Sequence, residues 1–277
     1  MITDQIAEIR SRKPLVLNIT NYVTVNDCAN ILLAIGASPI MADDEQEVEE
    51  LAALSQGLVI NIGTLNRRTL RSMVLAGKKA NELGVPVVLD PVGNGATRLR
   101  TEAANLLLKE VRCAVIRGNV SEIRMAYAGS GRTKGVDADD GEAIPLANLV
   151  RMARSFSAET GAVIAITGGK DIVSTADKSY VIANGHEKMA RITGSGCMLT
   201  ALVGAFCAAG CADLDRVVAA VAAMGLAGEI AAKECRGTGG FRALLLDAIS
   251  NMDDKRLGEG IKVEEFKGGD EALSGHR

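Results

Sequence analysis

The feature that narrows the fold most is a repeated pairing of a short, continuously apolar run with a longer amphipathic one. Apolar runs fall at residues 15–19, 39–41, 58–62, 85–89, 113–116 and 163–166, and helical patterns occupy 3–10, 24–35, 43–55, 67–83, 101–109 and 144–160. A strand with one wet face alternates apolar and polar residues; a strand covered on both faces does not. Leu15-Val16-Leu17 and Val87-Val88-Leu89 are of the covered kind. Crossovers long enough to hold a helix join parallel neighbours. The pattern therefore predicts an α/β fold, with a mostly parallel sheet and helices on both faces. Aromatic residues make up 3% of the chain and Trp is absent, so the core must be aliphatic. Later come two shorter strands at 172–174 and 180–183, then helices to about 209, over 213–235 and to about 252. Residues 253–277 turn polar and glycine-containing and read as a loosely held tail, with an edge strand at 261–266. No linker or repeat interrupts the pattern, so 1–277 reads as a single domain. The Gly- and Asp-rich stretch 128–141 reads as a loop able to move over a site.

Several function classes lose support. Net charge is −3 and no basic block occurs, which argues against nucleic acid as a partner. The apolar stretch 201–232 is split by Asp213, Asp215 and Arg216, and no secretory leader pattern is visible, so no membrane role and a cytoplasmic location are expected. Six cysteines occur without a C-x-x-C pair, as expected of reduced, buried thiols. With only His186 and His276 in the chain, zinc sites and His-dependent triads are poorly supported.

Polar residues and glycines gather directly after the predicted strands: Asn21, Met41, Gly63, Asp90, Arg117 and Thr167. In an open parallel sheet these ends line one crevice. Into it the stretch Ile192-Thr193-Gly194-Ser195-Gly196-Cys197-Met198-Leu199 brings a glycine turn and a helix start. Free N–H groups and the positive dipole end of a helix make an anion site, and the same dipole is expected to lower the Cys197 pKa. An acid, a cation, a hydroxyl and a glycine loop are the parts needed to hold a nucleoside triphosphate with its metal. Singly, each has an ordinary reading: Asp90 as a turn residue, Arg117 and Glu122 as an exposed ion pair, Cys197 as a small buried hydrophobe. Their convergence on successive strand ends favours a site. Neither a G-x-x-x-x-G-K-[ST] loop nor a G-x-G-x-x-G after the first strand is present.

Four stretches occur in order: Leu89-Asp90-Pro91-Val92-Gly93-Asn94-Gly95-Ala96, Arg117-Gly118-Asn119 with Ser121-Glu122-Ile123, Lys134-Gly135-Val136-Asp137, and Thr193-Gly194-Ser195-Gly196-Cys197. With Leu17 to Val23 and the segment 237–246, they make the chain resemble the hydroxyethylthiazole kinases over about 14–252. Cysteine at the helix start separates that family from relatives that carry aspartate there. The resemblance implies a ribokinase-like three-layer sandwich and ATP-dependent phosphorylation, with Mg²⁺, of 4-methyl-5-(2-hydroxyethyl)thiazole for thiamine synthesis or salvage. By position, Arg117 and Thr167, with Asn119 and Gly168 beside them, would contact ATP. Asp90 and Glu122 would organise the Mg²⁺ shell, partly through water. Gly194, Ser195 and Gly196 would form the anion hole, with Cys197 at the slot of a general base. Met41, Asn21, Val23, Gly63 and Gly194 would line the thiazole pocket, and a homotrimer would place sites between subunits. The alternatives are a sibling kinase of another small alcohol, such as hydroxymethylpyrimidine, or a non-catalytic thiazole and nucleotide sensor. Cys197 disfavours a hydrate dehydratase of the same fold.

Overall fold

The computed structural model describes residues 2–129 and 144–268. Helix α1 (Ile6–Arg12) precedes β1 (Leu15–Ile19), and the chain then alternates through α2 (Val25–Ile35), β2 (Ser38–Met41), α3 (Val48–Leu54), β3 (Gly57–Asn61), α4 (Arg67–Leu83), β4 (Val87–Asp90), α5 (Arg98–Glu110) and β5 (Val115–Asn119). Next come α6 (Val120–Gly129), α7 (Leu146–Thr160), β6 (Val163–Thr167), β7 (Asp171–Ser174) and β8 (Ser179–Ile182). A 3-10 turn (Glu187–Arg191) leads into α8 (Ser195–Ala208), α9 (Leu214–Glu234), α10 (Thr238–Ser250), α11 (Asp254–Gly260) and β9 (Val263–Glu265).

The nine strands form one sheet in the order β2-β1-β3-β4-β5-β6-β7-β8-β9. The first six are parallel; β7, β8 and β9 extend the sheet antiparallel. Strand residues face two apolar clusters by turns. Val16, Val59, Val88 and Val115 point into the layer built by α1, α2, α8, α9 and α10; Leu17, Leu58, Leu89 and Ile116 point into the layer of α3 to α7. This is the expected three-layer sandwich.

Helices α8 and α9 are buried almost all round, from Met198 to Ala208 and from Val217 to Gly228. Their sequences are therefore uniformly apolar rather than striped. Helix α8 lies directly on the sheet: a Cβ at Gly204 would stand 2.6 Å from Val59 Cγ2 and 3.4 Å from Val16 Cγ1. Only a residue without a side chain allows that approach. It sets the N-terminus of α8 over the carboxyl ends of β1 and β3. Those two strands flank the point where the chain's strand order reverses, the usual crevice of an open parallel sheet.

Several expectations need correction. Asp43-Asp44-Glu45 does not open α3; Glu47 N bonds Asp44 O in a turn, and the helix begins at Val48. Asn119 caps α6, its Oδ1 accepting from Glu122 N (2.9 Å) and from the Ser121 hydroxyl (2.7 Å). The Lys134–Asp137 motif and most of 128–141 lie outside the described residues.

The tail is anchored as far as it is described. Helix α11 turns back on α1, where Asp254 accepts the N–H groups of Gln5 (2.8 Å), Ile6 (2.8 Å) and Ala7 (3.1 Å). β9 then adds to the sheet edge beside β8, with Phe266 N bonding Ser179 O. A carboxylate that satisfies three first-turn donors contributes about 1–2 kcal/mol. Asp254→Ala should lower the melting temperature by about 2–4 °C per kcal/mol lost, without loss of helix content by circular dichroism. An unchanged melting temperature would mean that the tail is loose after all. Among the described residues no helix is long and apolar enough to cross a membrane.

Candidate active site at the carboxyl ends of the strands

Asp90 ends β4 with no exposed surface. Its Oδ2 accepts from Thr200 Oγ1 (2.7 Å) and Asn61 Nδ2 (2.8 Å) and lies 3.5 Å from Arg117 Nη1. Burial pushes this carboxyl above the usual carboxylate range, and the Arg117 charge, with the Thr200 and Asn61 donors, pulls it back. Arg117 also donates to Thr167 Oγ1 at 2.6 Å. The ordinary reading of Arg117 as the exposed partner of Glu122 does not hold: its side chain is 11% exposed and its carboxylate partner is Asp90.

Glu122 holds backbone instead. Its Oε1 accepts from Gly93 N and its Oε2 from Asn119 N, both at 2.8 Å, so it ties the loop after β4 to the turn after β5. Arg100 does the same for the neighbouring loops, donating to the carbonyls of Ile62 (2.9 Å), Val92 (2.7 Å) and Gly63 (2.5 Å). Among the described residues no three His, Cys, Asp or Glu side chains converge as a metal cage. What fits a cation is narrower. Asp90 Oδ1 is a buried acceptor without a partner, and each Glu122 oxygen keeps a lone pair beyond its one N–H. Such a pair suits a hydrated Mg²⁺ that arrives already bound to phosphates.

Gly194 has φ +84, and a Cβ there would stand 2.6 Å from Thr24 Cγ2. The turn it makes leaves the first amides of α8 (Ser195, Gly196 and Cys197) free at the crevice. Gly196 packs on the Arg117 guanidinium, so the anion-attracting helix end and the cation are adjacent. Below the turn, Arg242 Nε donates to the buried Asp27 at 2.6 Å and braces α10 against α2.

The Cys197 sulfur accepts from Asn21 Nδ2 and Asn61 Nδ2, each at 3.3 Å. The expected lowering of its pKa is overturned. Burial raises the thiol and the Asp90 charge raises it further, outweighing the donors on Thr24, Asn21 and Asn61. Cys197 is a neutral thiol at neutral pH.

Among the described residues, two cavities at this end of the sheet bear on the site. The larger, about 770 Å³, is lined by Arg117, Asn119, Thr167, Gly168, Ser195 and Gly196 on one side and by Asn184, Val221 and Met224 on the other. The smaller, about 330 Å³, has Met41, Tyr22 and Thr64 in its wall. Of the residues expected to line a thiazole pocket, Met41 is in that wall and Asn21, Val23, Gly63 and Gly194 are not; Val23 is 53% exposed and Tyr22 beside it 79%. Gly63 packs against the Asn21 amide, which a Cβ there would meet at 2.8 Å.

Asn61, Thr200, Arg100 and Asn184 are not among the site residues expected from the sequence. Asn61 had a visible signal, a lone amide at a strand end; Thr200, inside an apolar helix, had none. Asn184 shows why the tail matters: it donates to Gly260 O (3.0 Å) and accepts from Lys262 N (2.6 Å), so the tail braces a wall of the larger cavity.

Comparison with known proteins gives a consistent picture. Residues 6–255 match the Hydroxyethylthiazole kinase family. The chain is 48% identical over 267 residues to the hydroxyethylthiazole kinase of Ruminiclostridium cellulolyticum, covering 96% of this chain and 97% of that protein. It is 49% identical over 273 residues to that of Clostridium acetobutylicum, covering 96% and 100%. The solved hydroxyethylthiazole kinase structure from Pyrococcus horikoshii superposes with a TM-score of 0.88 at 38% identity, over 96% of this chain and 99% of that one. A pyridoxal kinase from Staphylococcus aureus superposes at 0.65 with 15% identity, over 91% and 98%, a likeness of fold alone.

Proposed function

Because the chain belongs to the hydroxyethylthiazole kinase family, it phosphorylates a thiazole alcohol in thiamine biosynthesis, and we propose that the phosphoryl group crosses from ATP to the alcohol at the Gly194 turn. The observation that carries this reading is the seat of the α8 N-terminus on Arg117, beside the larger cavity, with Cys197 and Asn21 on the side of β1 and β3. ATP takes the larger cavity, its phosphates reaching Arg117, Thr167, Asn119 and Gly168. The thiazole alcohol takes the side of Met41, Asn21, Gly63 and Gly194.

The alcohol oxygen attacks the γ-phosphorus, the bond to the β,γ-bridging oxygen breaks, and ADP carries away the electron pair. Charge spreads over the equatorial oxygens of a loose transition state, so positioning and charge stabilisation do most of the work. The amides of Ser195 and Gly196 and the Arg117 guanidinium meet that charge. Mg²⁺, held through water by Glu122 and Asp90, would supply further neutralisation of the phosphates. A homotrimer supports the site if a neighbouring chain covers the exposed Tyr22, in the wall of the smaller cavity, and Val23 beside it in sequence. A thermal-shift screen of small heterocyclic alcohols with ATP and Mg²⁺ tests the substrate: the hydroxyethylthiazole should give the largest stabilisation. A larger shift with a hydroxymethylpyrimidine would make the chain a sibling kinase.

The neutral Cys197 thiol is a weak base. Losing a true general base costs about 10²–10⁴-fold, and losing one orienting hydrogen bond about tenfold. Cys197→Ala should fall in the second class when kcat is measured at saturating substrates. Cys197→Asp should match or exceed the parent chain, because the same burial that silences a thiol brings a carboxylate towards neutral pH. A loss of many orders of magnitude in Cys197→Ala would show that the thiol takes the proton.

A further inference from the structure

Asn61 lies at the centre of the polar network, although it reaches neither cavity. Its exposure is 1%, and every polar valence of its amide is used. Oδ1 accepts from Gly63 N (2.9 Å) and Asn21 Nδ2 (3.0 Å); Nδ2 donates to Asp90 Oδ2 (2.8 Å) and Cys197 Sγ (3.3 Å). Asn21 repeats the arrangement: its Oδ1 accepts from Thr24 N (3.1 Å) and its second N–H goes to the same sulfur (3.3 Å). The orientation of both amides follows from groups with a fixed role. Gly63 N and Thr24 N can only donate, so both Oδ1 atoms face them, and both Nδ2 groups are left to donate.

Two amide N–H groups therefore arrive at Cys197 Sγ from the protein side. The Thr24 hydroxyl, whose oxygen already accepts from the Cys28 thiol (3.8 Å), is a third donor beside the sulfur, so the neutral thiol has one function left, its own S–H. We propose that Asn61 is a positioning residue for phosphoryl transfer, which, together with Asn21, fixes the sulfur as acceptor so that the S–H points at the oxygen of the substrate hydroxyl. The alcohol oxygen is thereby aimed at the γ-phosphorus, and its proton passes to an oxygen of the transferred phosphoryl group rather than to sulfur. In that step the O–P bond forms, the bond to the bridging oxygen breaks, and no group of the protein changes protonation. The Asp90 end of the amide serves as anchor: with Thr200 and Arg117 it keeps Asn61 from rotating. This rests on the reading of the site as a thiazole-alcohol kinase.

The test is a double-mutant cycle between positions 61 and 197, with kcat and both KM values measured for each variant. Asn61→Leu should lower kcat roughly tenfold with KM for either substrate changed less than about threefold, and in the Cys197→Ala background the same substitution should change kcat less than about threefold. An equal loss in both backgrounds, or no loss in the parent chain, overturns the proposal, because Asn61 would then act through Asp90 or the fold alone. Should Asn61→Leu fail to fold, Asn61→Ser, which keeps an acceptor for Gly63 N and removes both amide donors, takes its place with the same criteria. A parent chain that phosphorylates no thiazole alcohol overturns the reading of the site and this proposal together, and is seen before any variant is compared.

Discussion

Arg117→Met is expected to remove nearly all activity and to destabilise the chain more at neutral pH than in acid. Arg117 is the cation paired with Asp90, which is wholly buried. Removing one partner of a buried pair leaves an uncompensated charge, at a cost of about 3–5 kcal/mol. The sign of the pH dependence follows from Asp90. Its folded pKa already lies above the ordinary value because of burial, and Arg117 is the first group pulling it down. Without Arg117 it rises further. A carboxyl with a raised folded pKa costs stability once the pH exceeds its unfolded pKa, and costs nothing below it, where both states are protonated. The gap in stability between parent and variant should therefore be widest near neutral pH and narrow as the pH falls towards about 4. Urea titrations at several pH values measure it. A gap that widens on acidification would mean that Asp90 is not the partner that matters.

Gly194→Ala should be nearly as damaging to turnover while leaving most of the fold intact. The position combines φ +84 with a neighbour, Thr24 Cγ2, only 2.6 Å from where a Cβ would go. Backbone strain of this kind costs about 1–3 kcal/mol, and the overlap must be relieved by moving either α2 or the turn. Moving the turn swings the α8 amides off the phosphoryl group, and one misplaced donor in an anion hole is worth about 10²–10³-fold in kcat. The expected result is a kcat loss of that order with a modest drop in melting temperature. Unchanged kcat with lowered stability would place the transferred group elsewhere.

Much of this site could be read from the sequence because strand ends of a parallel sheet must converge. Asp90, Arg117 and Thr167 needed only the strand boundaries to be grouped, and they are in direct contact through Arg117. Asn61 stands out as a lone amide at the end of the apolar run Leu58-Val59-Ile60-Asn61-Ile62, but its role does not. Its partners stand 40 and 136 positions away, in Asn21 and Cys197, and no local pattern encodes such a pairing. The Cys197 pKa departs from the sequence expectation for a related reason. A helix start is visible in sequence and argues for a lowered thiol, whereas the burial and the nearby Asp90 charge that outweigh it exist only once the fold is formed. The tail misled through composition. Polar, glycine-containing segments usually solvate, yet Asp254 and Lys262 make specific tertiary bonds to α1 and to the loop after β8.

A glycine turn that joins a nucleotide cavity to an alcohol cavity makes ATP cleavage depend on the alcohol. ADP release with ATP and Mg²⁺, measured with and without 4-methyl-5-(2-hydroxyethyl)thiazole, tests it most directly. The expected release depends on the alcohol and matches, mole for mole, the thiazole phosphate formed. Equal release with and without the alcohol, or none in either case, would contradict it.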